Sequence, residues 1–481
     1  MLHVWSKEKL KKTLTAATLA VFAATGIAMP AWADNESLSV NMTVGQTAYR
    51  IGETASTMDC APYIDENDRT MVPVRFVGQA LGAQVSWEAD TKTVTVQNNE
   101  NAAIFTIGSN QVDLFIMDAE KGTINHASET IDTAAVIKDG RTMLPLRAVA
   151  ESLGATVDYL EGAITINKET SALQPESLTV SNYQQLKLAL NTQASTITLQ
   201  DFNTAGEVYG KLEVKRPVIL DGNGSTIDFG IEILSNGVTV KNFNMNISDF
   251  NKGVSTGGQS NLKNPGDCIA LEVHSGTPDA PVILKDNTVK MDVFGSSNSA
   301  IYLGSNSYAE ITGNKLTLKN QENNNYERGG VFIDANTNGK ITGNTIITTR
   351  TAFPMSPIGL TANLDTLTEA ISMPALQISG NTVQARYVTK MYVSGQLFGD
   401  DNLVLESNSD FGARKIVSDF VLAMAQDNQY EIVSPYPAEN EDAFVQTRLD
   451  KIMAGGTYFE NNIFFHVEDG KLVRIPAPAA E

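Results

Sequence analysis

Cysteine is nearly missing from this chain: its 481 residues include two, Cys60 and Cys268. So few exclude a disulfide framework, and both positions read as small apolar core residues. Histidine is scarce too, with His3, His126, His274 and His466 far apart in sequence. No pair has metal-ligand spacing, so the three beyond the N-terminus are expected to be lone surface or turn residues, with no metal and no cofactor. Positive charge is in deficit. The 35 Lys and Arg face 55 Asp and Glu, a formal net charge of −20. No Lys/Arg run offsets it, so nucleic acid and anionic lipid are excluded as partners. Neutral or cationic partners suit this surface, and an anionic wall polymer would need a bridging divalent cation. A nucleophile elbow, a phosphate-binding glycine loop and a metal-spaced cysteine set are also lacking.

The apolar run that does exist is at the N-terminus. Lys7, Lys9, Lys11 and Lys12 precede an apolar stretch from Leu14 to Met29, and Ala31-Trp32-Ala33 supplies a small-x-small cleavage site. That order predicts a secretory signal peptide over 1–33. Its removal leaves 31 basic against 54 acidic residues, a charge of about −23. The mature chain has no other run able to span a bilayer, so a secreted or cell-surface location is expected.

Residues 34–168 contain a duplication. Arg69-Thr-Met-Val-Pro-Val-Arg75 returns 72 positions later as Arg141-Thr-Met-Leu-Pro-Leu-Arg147, and Leu81-Gly82-Ala83 returns as Leu153-Gly154-Ala155. The two copies end on Trp87 and Tyr159, with ten of nineteen aligned positions identical. Each copy reads as one small α+β unit. Pro73 and Pro145 open a short helix at its first position, Gly82 and Gly154 close it, and a hairpin follows. These motifs resemble the N-terminal "stalk" domain of copper amine oxidases, common in secreted proteins of Gram-positive bacteria. The oxidase chemistry does not come with the resemblance. It requires three copper-binding histidines, two of them one residue apart, and a tyrosine that becomes a quinone. The histidine spacing here does not match, Asn325-Tyr326-Glu327 lies in a polar run, and copper is not expected.

A linker is predicted over 169–178, and a second phrase then repeats. Ile311-Thr-Gly-Asn314, Ile341-Thr-Gly-Asn344 and Ile378-Ser-Gly-Asn381 are its clearest copies, and those around Asn287 and Asn408 are looser. The asparagines lie 27, 30, 37 and 27 residues apart. Strands too short to bury a face alone, recurring at that period, predict stacked coils with the asparagines laddered inside one bend. Ser181 is expected to cap a short helix over 182–191 that enters the stack. Together these features resemble a right-handed parallel β-helix of the pectate-lyase-like class over 179–412. Residues 413–481, with helices over 415–425 and 443–454 and two strands, are expected to cap it. The fold class is therefore mainly β: a parallel β-helix preceded by a small duplicated α+β stalk-type domain.

Function is argued from one strand per coil. Aligning Ile269/Leu271, Ile301/Leu303, Val331/Ile333 and Ile358/Leu360 as inward pairs leaves two outward columns. One column holds Ala270, Tyr302, Phe332 and Gly359; the other holds Glu272, Gly304, Asp334 and Thr361. Tyr302 beside Phe332 is an apolar platform on which a sugar ring could rest, with Glu272 and Asp334 flanking it roughly 9–10 Å apart. Long loops over the aromatics are the competing expectation. Gly266-Asp267-Cys268 resembles the aspartate-bearing strand of polygalacturonases, but their other motifs have no match. The expected role is an exported surface or wall-associated protein that binds or presents a surface to extracellular or cell-wall polysaccharide. The alternative is a polysaccharide lyase or glycoside hydrolase using Asp267, Glu272, Asp334 and Arg328, with calcium if it is a lyase.

Overall fold

The computed structural model describes residues 37–169, 175–204, 211–248, 267–293, 297–320, 330–333, 337–349, 358–362, 376–385, 389–393, 396–399, 429–432, 458–460, 463–468 and 471–475. The expected signal peptide, Arg328, Asp334, Asn408 and the two C-terminal helices lie outside these residues. The protein is mainly β, with parallel and antiparallel sheets. Among the described residues no helix is long and apolar enough to cross a membrane.

The two N-terminal copies are not two self-contained units. Copy one comprises β1 (Ser37–Thr43), β2 (Ala48–Ile51), β3 (Thr54–Thr57), β4 (Tyr63–Ile64), β5 (Thr70–Pro73), α1 (Val74–Leu81), β6 (Gln84–Glu88) and β7 (Thr93–Gln97). Copy two repeats the order as β8 (Asn101–Thr106), β9 (Gln111–Asp118), β10 (Thr123–Thr130), β11 (Val136–Lys138), β12 (Arg141–Pro145), α2 (Leu146–Ser152), β13 (Ala155–Leu160) and β14 (Ala163–Glu169). The closing hairpin of each copy adds to the three-stranded meander of the other. One sheet runs β13-β14-β1-β2-β3, and its counterpart runs β6-β7-β8-β9-β10.

Between them the two repeated Arg-Thr-Met strands pair antiparallel, Met71 with Pro145, Val72 with Leu144 and Pro73 with Met143. Swapping the copies reproduces this register, so a local two-fold axis passes by Val72 and Leu144, both fully buried. Each proline stands at the helix N-cap, one position earlier than expected, where its missing N–H leaves no donor unpaired. Gly82 closes α1 in the left-handed region, at φ 63°. Phe76, Leu81, Val149 and Leu153 share one buried core with Val96 and Ile166, so both copies contribute to the same interior.

Beyond the copies, strands are dealt in fixed rotation to three parallel sheets. Ile219–Asp221, Thr226–Ile227 and Ile231–Ile233 go to the first, second and third sheets, and Thr239–Lys241, Asn244–Ile247 and Asp267–Val273 follow in the same order. The rotation continues through Thr389–Val393. The energetics explain why. A three-residue strand with two inward aliphatics gains about 3–6 kcal/mol by burying them. Ordering its backbone costs about the same. Alone it breaks even at best, and stacking makes each strand a template for the next.

The asparagine ladder is present among the described residues. Asn287, Asn314 and Asn344 each donate their backbone N–H to the side-chain oxygen of the next, ending on Asn381, over 2.9–3.0 Å. Their side-chain amides donate to the same oxygens and to the carbonyls of Val240, Leu284 and Ile311. All four asparagines are at most 1% exposed. Gly313, Gly343 and Gly380, just before three of them, have φ of 65–69°, which explains the recurrent Gly-Asn pair.

The two regions share a sheet. β15 (Ser177–Asn182) pairs with β10 in parallel at Thr123 and Thr179, which joins one five-stranded sheet to the first parallel sheet as thirteen strands. The helix α3 (Tyr183–Leu190) covers the junction. Its N-cap is Asn182, not Ser181: the Asn182 side chain accepts from the Gln185 N–H, while Gln185 Oε1 accepts from Ser181. Gln97 donates to the Leu188 carbonyl at 2.6 Å and Gln185 to that of Ile124 at 3.0 Å. Of the cysteines, Cys268 is buried and Cys60 is half-buried.

Candidate functional site

The third parallel sheet carries aliphatic–glutamate–aliphatic triplets on three successive strands: Leu212-Glu213-Val214, Ile231-Glu232-Ile233 and Leu271-Glu272-Val273. In-register stacking places Glu213, Glu232 and Glu272 in one column, which continues with Tyr302, Phe332 and Gly359. The expected columns are corrected here. Tyr302 stands opposite Glu272 rather than Ala270, a slip of two residues. Glu272 therefore falls in the column expected for Tyr302 and not in the neighbouring one, and Asp334 lies outside the described residues.

The strand over 267–273 also changes face. Cys268, Ala270, Leu271 and Val273 all join the interior, while Ile269 packs against Tyr302 in a separate cluster. Ile269 and Ala270 thus reverse the expected orientations. Asp267 lies on this strand and Phe332 on the next but one, but their side chains are outside the described set.

Neighbouring strands lie ~4.8 Å apart, and two like charges at that distance repel by about 3–4 kcal/mol at an effective dielectric of 20. The column is viable because cations interleave with it. Lys215 pairs with Glu213, and Lys211 Nζ lies 2.5 Å from Glu232 Oε2 and 3.9 Å from Glu213. His274, two residues after Glu272 and on the same face, sets Nε2 at 2.7 Å from Glu272 Oε1 and 3.9 Å from Glu232 Oε1. The hydrogen bond to Glu272 raises the His274 pKa above its ordinary value; burial opposes the rise, and the charges of Glu272 and Glu232 add to it.

Gly304 stacks directly above His274. A Cβ there would lie 2.7 Å from the imidazole Nδ1, so the ring needs a glycine at that position. Tyr302 meets the imidazole edge-on, with ring centroids 6.3 Å apart.

The two carboxylates of this cluster are buried, while the His274 ring is exposed. Glu272 is fully buried, and Tyr302 is 8% exposed, so Tyr302 offers no open ledge for a sugar. Glu272 Oε2 has no hydrogen-bond partner, a cost of about 1–3 kcal/mol or more for a charged group. Glu232 Oε2 also lacks hydrogen-bond geometry, although Lys211 contacts it as an ion pair. Among the described residues, Glu232, Glu272 and His274 form a set of potential metal ligands, with ligating atoms within 4.8 Å of one another. Expecting His274 to be a lone residue was wrong. Sequence reasoning missed it together with Glu232 and Lys211. The available signals were the Glu-x-His spacing on one strand and the recurring aliphatic–glutamate–aliphatic triplet. By contrast His126 is a surface residue, stacked on Phe115 and 3.0 Å from Asp113.

Comparison with known proteins adds information for the N-terminal part. Residues 49–168, and again 123–191, match the copper amine oxidase N-terminal domain family. The second match runs through the end of α3, past the sequence-based domain boundary. A protein named "Protease inhibitor" from Brevibacillus choshinensis is 28% identical over 116 residues, which is 24% of this chain and 32% of that protein. This chain thus covers about a third of that relative's length. No solved structure matches. The duplicated, hairpin-exchanged region is a copper amine oxidase N-terminal-like domain.

Proposed function

We propose that this is an exported, wall-associated scaffold protein that binds extracellular polysaccharide and catalyses no amine oxidation. In this reading the copper amine oxidase N-terminal-like domain is continued by a right-handed parallel β-helix of the pectate-lyase-like class, with the last coil covered by the C-terminal segment. The signal-peptide layout, the strict three-sheet rotation and the acidic surface support it. A sugar-binding ledge at Tyr302 is not supported, because the ring is buried.

The observation that carries the binding role is elsewhere. Trp87 and Tyr159 occupy the same position of the two copies, each on the outer strand of its five-stranded sheet, and are 44% and 51% exposed. Large exposed rings of this kind present flat apolar faces at low entropic cost, as carbohydrate contacts require. The name of the Brevibacillus relative adds nothing specific, since the alignment covers a minority of both chains.

The test is retention of the mature protein on purified wall and soluble polysaccharides, with and without calcium, followed by product analysis. Retention should fall at least tenfold in Trp87→Ala/Tyr159→Ala. Release of unsaturated or newly reducing sugars would establish the lyase or hydrolase alternative instead. Absence of retention on every glycan would reject the binding role.

A further inference from the structure

We propose that Glu232, Glu272 and His274 form a binding site for a divalent transition metal of the zinc, manganese or cobalt type, clamping two neighbouring strands of the third parallel sheet. The proposal is independent of the carbohydrate reading. One imidazole with two carboxylates suits this class of cation, whereas calcium and magnesium favour larger all-oxygen shells.

Three observations converge. The first is geometry. Ligand atoms around a tetrahedral ion with ~2.0–2.1 Å bonds lie roughly 3.3 Å from one another. The distances from His274 Nε2 to Glu272 and to Glu232 are 2.7 Å and 3.9 Å, which bracket that value. All three ligating atoms lie within 4.8 Å of one another, so side-chain movements of under about 1 Å would bring them to that spacing, with a water as the fourth ligand. The second is the unpartnered Oε2 of Glu272, a fully buried carboxylate with an unused acceptor at the cluster. An ion pair through Oε1 alone leaves that oxygen unsatisfied; a cation able to take either or both oxygens satisfies it. The third is preorganisation. Glu232 and Glu272 are locked opposite each other by a parallel ladder running from Ile231/Leu271 to Ile233/Val273. The His274 backbone N–H donates to the Ile233 carbonyl at 2.9 Å, and the space for its ring depends on Gly304. Lys211, on Glu232 Oε2, leaves Oε1 directed toward His274.

The test uses the mature chain, dialysed against chelator and titrated with Co²⁺ and, in competition, Zn²⁺. Wild type should bind one equivalent, develop visible d–d absorption and melt at higher temperature as metal is added. His274→Gln and Glu232→Gln should each weaken binding by at least ~10-fold, since even changes beyond the ligand shell cost that much. His126→Ala should leave binding unchanged. Zinc X-ray absorption on wild type, which needs no variant, should report one imidazole with oxygen ligands. Failure of folded wild type to bind, equal affinity for Ca²⁺, binding that survives both substitutions, or a zinc shell without imidazole would overturn the site.

Discussion

The two halves of this protein solve one problem in opposite ways. Each is built from repeats too small to bury their own apolar faces. In the N-terminal domain two copies exchange closing hairpins, so that β6-β7 completes the second meander and β13-β14 the first. In the parallel region the repeats stay in chain order and cover one another by translation, strand on strand in three sheets. Exchange closes after two copies and leaves a finite body about a local axis. Translation has no natural end, and its register needs an internal ruler, which the asparagine ladder supplies.

The sharpest way to break this contrast is to separate the copies. Residues 37–98 expressed alone should show no cooperative unfolding by circular dichroism, because their hairpin has lost its sheet. Mixing with the rest of the mature chain should restore it. A stable isolated copy would contradict the exchange. Next in size is Asn314→Ala, which strips partners from the buried Asn287 N–H and the Leu284 carbonyl. At ~1–3 kcal/mol per orphaned group the loss should approach about 3 kcal/mol, read as a lower denaturant midpoint for the parallel region.

Gly304→Ala should cost less, about 1–3 kcal/mol of overpacking, because the new methyl displaces the His274 ring. The same substitution in a described turn with open space around the Cβ position, such as Gly224, would report only the strain of its φ of 75°. The smallest effect concerns Asp221. Burial raises its pKa, but bonds from Asn242, the Asn223 N–H and Lys241 outweigh this and hold it below the ordinary value. A depressed carboxylate contributes stability above the unfolded pKa of ~3.9, and that contribution is lost as pH falls through the lower folded value. Asp221→Asn should therefore flatten the acid limb of a melting-temperature profile, by under about 1 kcal/mol.

Sequence legibility tracked how much each pattern constrains register. Gly-Asn at the bend is decisive, since a left-handed residue followed by a laddering amide fits one place in the repeat; Asn314, Asn344 and Asn381 were readable for that reason, whereas Asn287 follows Asp286, left-handed at φ 54° without being a glycine. Alternation along a strand is not decisive. A slip of two preserves the alternation, so Ala270 was matched to Tyr302 when Glu272 belongs there. The strand Ile231–Ile233 was not aligned with the others, which hid Glu232 and with it the role of His274. The hairpin exchange was invisible for another reason: two similar copies offer equivalent partners, and sequence alone does not say which hairpin meets which meander.

In-register parallel stacking is the claim on which both the ladder and the glutamate column depend, and a cross-link tests it most directly. Glu310 and Lys340 face each other on adjacent strands, at half-exposed positions. In a Cys60→Ala/Cys268→Ala background, Glu310→Cys with Lys340→Cys should oxidise readily to an intramolecular disulfide, since register partners lie ~4.8 Å apart. Glu310→Cys with Thr342→Cys or Asn338→Cys, two residues out of register, should not. Preferential closure of either shifted pair would contradict the stacking described here.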